Sequence, residues 1–172
     1  MNIRTELQQD YELVLQLNYE AFGNRDDEAE LVNRIRRSDR FVPELSIVAE
    51  QNGEIVGHLL LSKADVVNEN TKHEVIVLAP IAVSPRLQKQ GIGRLLIEEG
   101  MKRCQVLQVP LVLLIGHPSY YPKFGFRPAR PFGLELKQFP ASDDVFMVLE
   151  LRDGALNDIQ GELVYPAVFF GG

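Results

Sequence analysis

Val83-Ser84-Pro85-Arg86-Leu87-Gln88-Lys89-Gln90-Gly91-Ile92-Gly93-Arg94-Leu95-Leu96 holds the sharpest change of pattern in the chain. An apolar run from Val75 to Val83 stops at Ser84-Pro85, and a polar, basic, glycine-containing loop leads directly into an amphipathic segment. Strand, loop and helix start therefore follow one another closely. Such a junction turns unpaired N–H groups and the positive end of a helix dipole toward an anion. Between Ser84 and Ile97 there is no acidic residue, whereas Arg86, Lys89 and Arg94 are basic. In a chain of net charge −6 that local reversal points to a phosphate-bearing ligand.

Downstream, the pattern predicts a helix from about Gly91 to Leu107. Gly93, Leu96, Ile97, Gly100, Met101 and Cys104 form its inner face, and Arg94, Glu98, Lys102 and Gln105 its outer one. Pro110 precedes Leu111 to Ile115, a five-residue apolar run typical of a central strand. Ser119 to Phe124 has room for one helical turn, and strands are expected at Phe146–Leu151 and Glu162–Val168. Upstream, Val75 to Ala79 reads as the doubly buried centre of a strand from His73 to Val83. Asn52-Gly53 is a two-residue hairpin turn joining Ser46–Glu50 to Glu54–Ser62. A short strand at Ile3–Leu7 comes first. Asp10 is expected to cap a helix with Leu13, Val14, Leu17, Ala21 and Phe22 inward, and a second helix covers about Asp26 to Arg37. The order β-α-α-β-β-β-α-β-α-β predicts an α/β (α+β) protein, a mixed sheet with helices on both faces.

The chain has 172 residues, 45% hydrophobic and 24% charged, which suits one globular domain spanning residues 1–172. The acidic balance argues against nonspecific nucleic-acid binding. Cys104 is the single cysteine, which excludes an internal disulfide and a multi-cysteine zinc site, and the three histidines lack zinc spacing. No apolar run approaches a membrane span and the first residues lack a signal-peptide core, so a reducing cytoplasm is the expected location.

The loop is not a Walker A motif, because no Gly-Lys-Ser/Thr follows, and Leu96 occupies the place of a dinucleotide fingerprint's third glycine. Gln88-Lys89-Gln90-Gly91-Ile92-Gly93 instead resembles the Q/R-x-x-G-x-G/A signature of the GNAT superfamily of N-acetyltransferases. The preceding Leu78-Ala79-Pro80-Ile81-Ala82-Val83 is also similar to that family's strand. The resemblance implies a mostly antiparallel, twisted sheet in the GNAT acyl-coenzyme A N-acyltransferase fold, with acetyl-coenzyme A as cosubstrate; the residues themselves indicate no metal. It implies that Gln88, Lys89, Gln90, Gly91, Ile92, Gly93 and Arg94 contact the pyrophosphate. It also implies that Ile81, Ala82 and Val83 offer main-chain groups to the pantetheine arm.

Tyr120-Tyr121-Pro122-Lys123-Phe124-Gly125-Phe126 resembles a second family element, a tyrosine four residues before a Gly-Phe pair. By that resemblance Tyr121 is the catalytic acid that protonates the departing thiolate; Tyr120 is expected to pack in the core or line the pocket. Gly116-His117-Pro118-Ser119-Tyr120-Tyr121 resembles small bacterial-type members, many of which carry an acid where this chain has His117. Glu74, Asp65, His58, His73 and His117 are all candidates for the base that deprotonates the amine, and the sequence assigns none of them. The expected activity is transfer of acetyl to a primary amine by direct attack on the thioester. The alternative is a non-catalytic acyl-coenzyme A binding or sensing module. The expected acceptor is a small-molecule or peptide amine, and the apolar tail Val164–Phe170 offers a surface for a homodimer.

Overall fold

The computed structural model describes residues 1–171. Its elements are β1 (Asn2–Thr5), α1 (Tyr11–Ala21), α2 (Asp27–Arg36), β2 (Phe41–Gln51), β3 (Glu54–Asn68) and β4 (Thr71–Val83). There follow α3 (Ile92–Val106), β5 (Leu111–Ile115), β6 (Arg127–Pro128), β7 (Leu134–Glu135), β8 (Phe146–Glu150), α4 (Ala155–Asp158) and β9 (Gly161–Val164). The strands hydrogen-bond in the order β1-β2-β3-β4-β5-β8-β6, with β9 on β3 and β7 on β9. β1–β2, β2–β3, β3–β9, β5–β8 and β6–β8 pair antiparallel, whereas β4–β5 and β7–β9 pair parallel, so the sheet is mixed and mostly antiparallel, flanked by helices, as expected.

The chain forms two compact units. The first comprises Met1–Ser62, Ala79–Arg103 and the residues from Ala167 onward. Its sheet is covered on both faces, and strand alternation decides which side chain goes where. Val48 and Leu60 point to the side where Val14 of α1 and Val32 and Ile35 of α2 are buried. Ile47, Leu59 and Leu61 point to the other side, where they meet α3 at Gly100. Each such fully buried aliphatic side chain contributes roughly 1.5–3 kcal/mol. The Asn52-Gly53 turn forms as expected, with both residues at positive φ (53° and 78°) and Gln51 paired to Glu54.

Several boundaries and faces differ from the sequence expectation. Asp10 precedes α1 without capping it. Its carboxylate accepts from the Leu7 N–H at 2.8 Å and from the Arg4 guanidinium at 2.7 and 3.1 Å. Those bonds hold the Asp10 carboxyl below the usual carboxylate range. Leu13 is 56% exposed, because α1 buries only Val14, Leu17 and Asn18. The C-terminal strand ends at Val164, just before Pro166, whose nitrogen has no proton for a ladder. Val168 and Phe169 then pack on the α1–α2 cluster, and Arg34 Nε donates to the Val168 carbonyl at 2.7 Å.

A polar chain is sealed inside this first unit. Asn18 Nδ2 lies 3.2 Å from His58 Nδ1, and His58 Nε2 lies 3.1 Å from Ser46 Oγ. Ser46 Oγ donates to Glu6 Oε1 at 2.8 Å, and Arg36 closes the chain on Glu6 Oε2. Because the one Ser46 hydroxyl proton goes to Glu6, His58 must carry its proton on Nε2 and accept from Asn18 on Nδ1. Complete burial, aided by the Arg36 cation, lowers the His58 pKa to about 3.

The second unit comprises Lys63–Leu78 and Cys104–Pro166. β4 runs parallel to β5 only at Ile76↔Val112 and Val77↔Leu113, while β5 and β8 pair along Leu111–Ile115. β3 extends beyond the expected Ser62 because Asp65, Val66 and Val67 pair with Val164, Leu163 and Glu162 of β9.

Candidate active site

In the first unit, β4 leaves the sheet at Val83, and the Ser84 N–H donates to the Val56 carbonyl at 2.9 Å. Pro85–Leu87 makes a single tight turn, closed by the Leu87 N–H on the Ser84 carbonyl at 2.9 Å. Lys89 and Gly91 then take positive φ, 65° and 90°. Alternation into the left-handed region turns successive amides to the same side, the geometry of an anion-binding nest. Among the described residues, no acceptor takes the N–H of any residue from Gln88 through Arg94; the first bonded amide is Leu95, on the Gly91 carbonyl at 3.1 Å. These free donors run continuously into the N-terminus of α3, whose dipole adds positive character.

The side chains add less charge than the sequence implies. Arg86 Nη2 lies 2.5 Å from Glu54, and Arg94 lies 3.5 Å from Glu98. Lys89 is exposed and has no ion-pair partner among the described residues. Gln88 Nε2 turns back to the Val83 carbonyl at 3.2 Å, so its side chain braces the loop while its amide stays free. Ile92 is a buried anchor. Gly57 of β3 makes that anchoring possible: a Cβ there would stand 2.9 Å from Ile92 Cγ2 and 3.0 Å from Leu96 Cδ1.

Ile81, Ala82 and Val83 lie beyond the end of the β4–β5 ladder, which stops at Val77↔Leu113. They have no β5 partner among the described residues, and Ala82 is buried between two half-buried neighbours. A strand segment without a partner on one edge can pair with amides of an extended ligand.

In the second unit, Tyr121 opens a short turn, Tyr121–Phe124, that ends at Gly125 in the left-handed region (φ 96°). The ring meets Tyr120 and Phe126 edge-on, with centroids 5.2 and 5.9 Å apart. Burial, reinforced by Tyr120, pushes the phenol up to about 12. Its hydroxyl has no hydrogen-bond partner among the described residues, which leaves the proton available to a ligand. Tyr120 packs edge-on against Phe124 as well, the packing role expected of it.

Of the candidate bases, His58 is removed from contact with any substrate by complete burial and by partners on both ring nitrogens. His117 is exposed and lies 3.2 Å from Ser119 Oγ. Glu74 and Asp65 each lie 3.9 Å from a lysine, Lys63 and Lys72. Burial pushes the Cys104 thiol up to about 12, which keeps it from serving as a nucleophile. Among the described residues, no group of His, Cys, Asp or Glu is arranged to hold a metal ion. No helix there is long and apolar enough to cross a membrane.

Residues 2–129 match the family model described as an acetyltransferase (GNAT) domain. The chain belongs to the GNAT family of N-acetyltransferases. It is 31% identical over 144 residues to the uncharacterised N-acetyltransferase YhbS of Escherichia coli (strain K12), covering 84% of each chain. It is 36% identical over 108 residues to the uncharacterised N-acetyltransferase YjhQ of the same strain, covering 63% of this chain and 59% of that protein. The fold is similar to the crystal structure of Escherichia coli YhbS in complex with CoA, with a TM-score of 0.89 and 29% identity over 98% of this chain and 91% of that one. It is also similar to a GNAT family acetyltransferase from Brucella melitensis in complex with acetyl-CoA, with a TM-score of 0.78 and 27% identity over 98% and 97%.

Proposed function

We propose that this protein is a single-domain, acetyl-coenzyme A-dependent N-acetyltransferase of the cytoplasm, acting on a small-molecule or peptide primary amine. The continuous run of unbonded amides from Gln88 to Arg94 at the start of α3 carries the reading, because it suits a pyrophosphate and little else in the chain. The CoA and acetyl-CoA bound in the two similar crystal structures support the same ligand. In this reading those residues hold the pyrophosphate, and Ile81, Ala82 and Val83 pair with the pantetheine amides and polarise the thioester carbonyl.

The neutral amine attacks the carbonyl carbon, the tetrahedral intermediate collapses, and the C–S bond breaks. Tyr121 donates its proton to the departing thiolate, and the surplus proton on the new amide nitrogen returns to solvent or to the phenolate. A phenol held near 12 is fully protonated at neutral pH, the state a donor needs. No covalent acetyl-enzyme forms, in keeping with a buried, protonated Cys104. Thiol release from acetyl-coenzyme A, measured with a panel of amines, tests the proposal. Amine-dependent release supports it, and tight coenzyme binding without release under any amine favours the sensing module.

A further inference from the structure

Gly116 sits where β5 ends, and its N–H donates to the Val145 carbonyl at 2.9 Å. A Cβ added there would stand 2.7 Å from Tyr121 Cδ2, nearer still to Tyr121 Cε2, and 3.0 Å from Leu114 Cδ1. The ring of Tyr121 thus occupies the place of the side chain that Gly116 lacks. The ring has no room to step back, since Tyr120 and Phe126 hold it edge-on and only 8% of the residue is exposed. The turn carrying it is fixed at both ends, by the Tyr121 N–H on the His117 carbonyl at 3.4 Å and the Gly125 N–H on the Pro122 carbonyl at 3.0 Å. Gly116 does not need glycine for its own backbone, because its φ lies outside the positive region. Its requirement is therefore space for one particular ring.

We propose that Gly116 is a positioning residue for acetyl transfer, setting the aim of the Tyr121 hydroxyl by leaving the volume in which the phenol ring lies. This rests on the acid role proposed for Tyr121. A methyl group at 116 pushes the ring from its box and redirects the hydroxyl, without touching the amides of the coenzyme loop.

The test compares Gly116→Ala, Tyr121→Phe, Tyr121→Ala and the double variant Gly116→Ala/Tyr121→Ala. The expected result for Gly116→Ala is a fall of tenfold or more in kcat, with KM for acetyl-coenzyme A unchanged within twofold. Ultraviolet titration, with the Tyr121 signal assigned by difference from Tyr121→Phe, should show the phenol moving from about 12 toward the ordinary tyrosine range as the ring meets water. On the Tyr121→Ala background, Gly116→Ala should add no further loss of turnover or of melting temperature. If Gly116→Ala alone fails to fold, recovery of folding in the double variant supports the proposal and its absence refutes it. A Gly116→Ala enzyme with unchanged kcat and unchanged phenol titration also overturns it. Full turnover by Tyr121→Phe refutes a different statement, the acid role itself.

Discussion

Replacing His58 with glutamine should flatten the acid side of the stability profile. In the folded protein His58 is sealed between Asn18 and Ser46 and titrates near 3, while in the unfolded chain it titrates near its ordinary 6.5. Below 6.5 the unfolded state therefore binds a proton that the folded state refuses. Unfolding free energy then falls with pH, by about 1.4 kcal/mol per unit while the difference is complete. The contribution is fully present above 6.5 and is lost as pH falls toward 3. Summed over that window it comes to about 4–5 kcal/mol, comparable to the whole stability of a marginal domain. Urea unfolding between pH 7.5 and 4 measures it. Wild type should lose stability more steeply than His58→Gln, with the two curves converging as the pH falls. Glutamine will lower stability at pH 7, but that offset leaves the difference in slope readable. Carboxylates such as Asp10 titrate in both proteins and cancel in the comparison. Parallel profiles would show that burial and the Arg36 cation do not hold His58 neutral, and would refute the sealed network.

Two substitutions in the 88–94 loop separate its side-chain charge from its amides. With Arg86 and Arg94 paired and the amides proposed to hold the pyrophosphate, Lys89→Ala should weaken coenzyme A about three- to tenfold in calorimetry, the loss of one exposed charge. Gly91→Asp, which adds a carboxylate and a strained φ of 90°, should weaken it more than a hundredfold, roughly two lost charge-assisted hydrogen bonds. Equal losses would contradict an amide-borne site. Gly100→Ala should destabilise the fold by about 1–3 kcal/mol in urea despite alanine's higher helix propensity, because the new methyl would stand 2.8–2.9 Å from Leu59 and Leu61. A stabilised variant would show that α3 does not press on β3.

Much of this was legible in the sequence because it rests on local patterns. The helical period fixed the buried face of α3, and Asn52-Gly53 announced its turn through residues that tolerate positive φ. The loop at 88–94 was legible as a motif, but its ion pairs were not. Glu54, which neutralises Arg86, lies 32 residues away and becomes a neighbour only through folding. Other gaps have the same origin. β3 looked complete at Ser62 because the β9 strand that supports its continuation lies about a hundred residues later. The turn after β3 places Glu69 at positive φ without the glycine that usually signals it. Gly57 carries no distinctive signal of its own, and the motif that opens at Gly116 does not say why glycine is needed there. Each matters for a close approach by a distant side chain, and only coordinates show that. His58 stayed among the candidate bases in the sequence, since the partners that seal it, Asn18, Ser46, Glu6 and Arg36, come from four other segments.

A single-turnover experiment tests direct acetyl transfer from acetyl-coenzyme A to an amine. Enzyme in excess over labelled acetyl-coenzyme A is quenched at intervals, with and without an amine found active in the thiol-release panel. Direct transfer places label in the amine in equal amount to the free thiol, with unlabelled protein at every time point. Label accumulating on the protein before the amine is added, or thiol release with no acetylated amine, would contradict it.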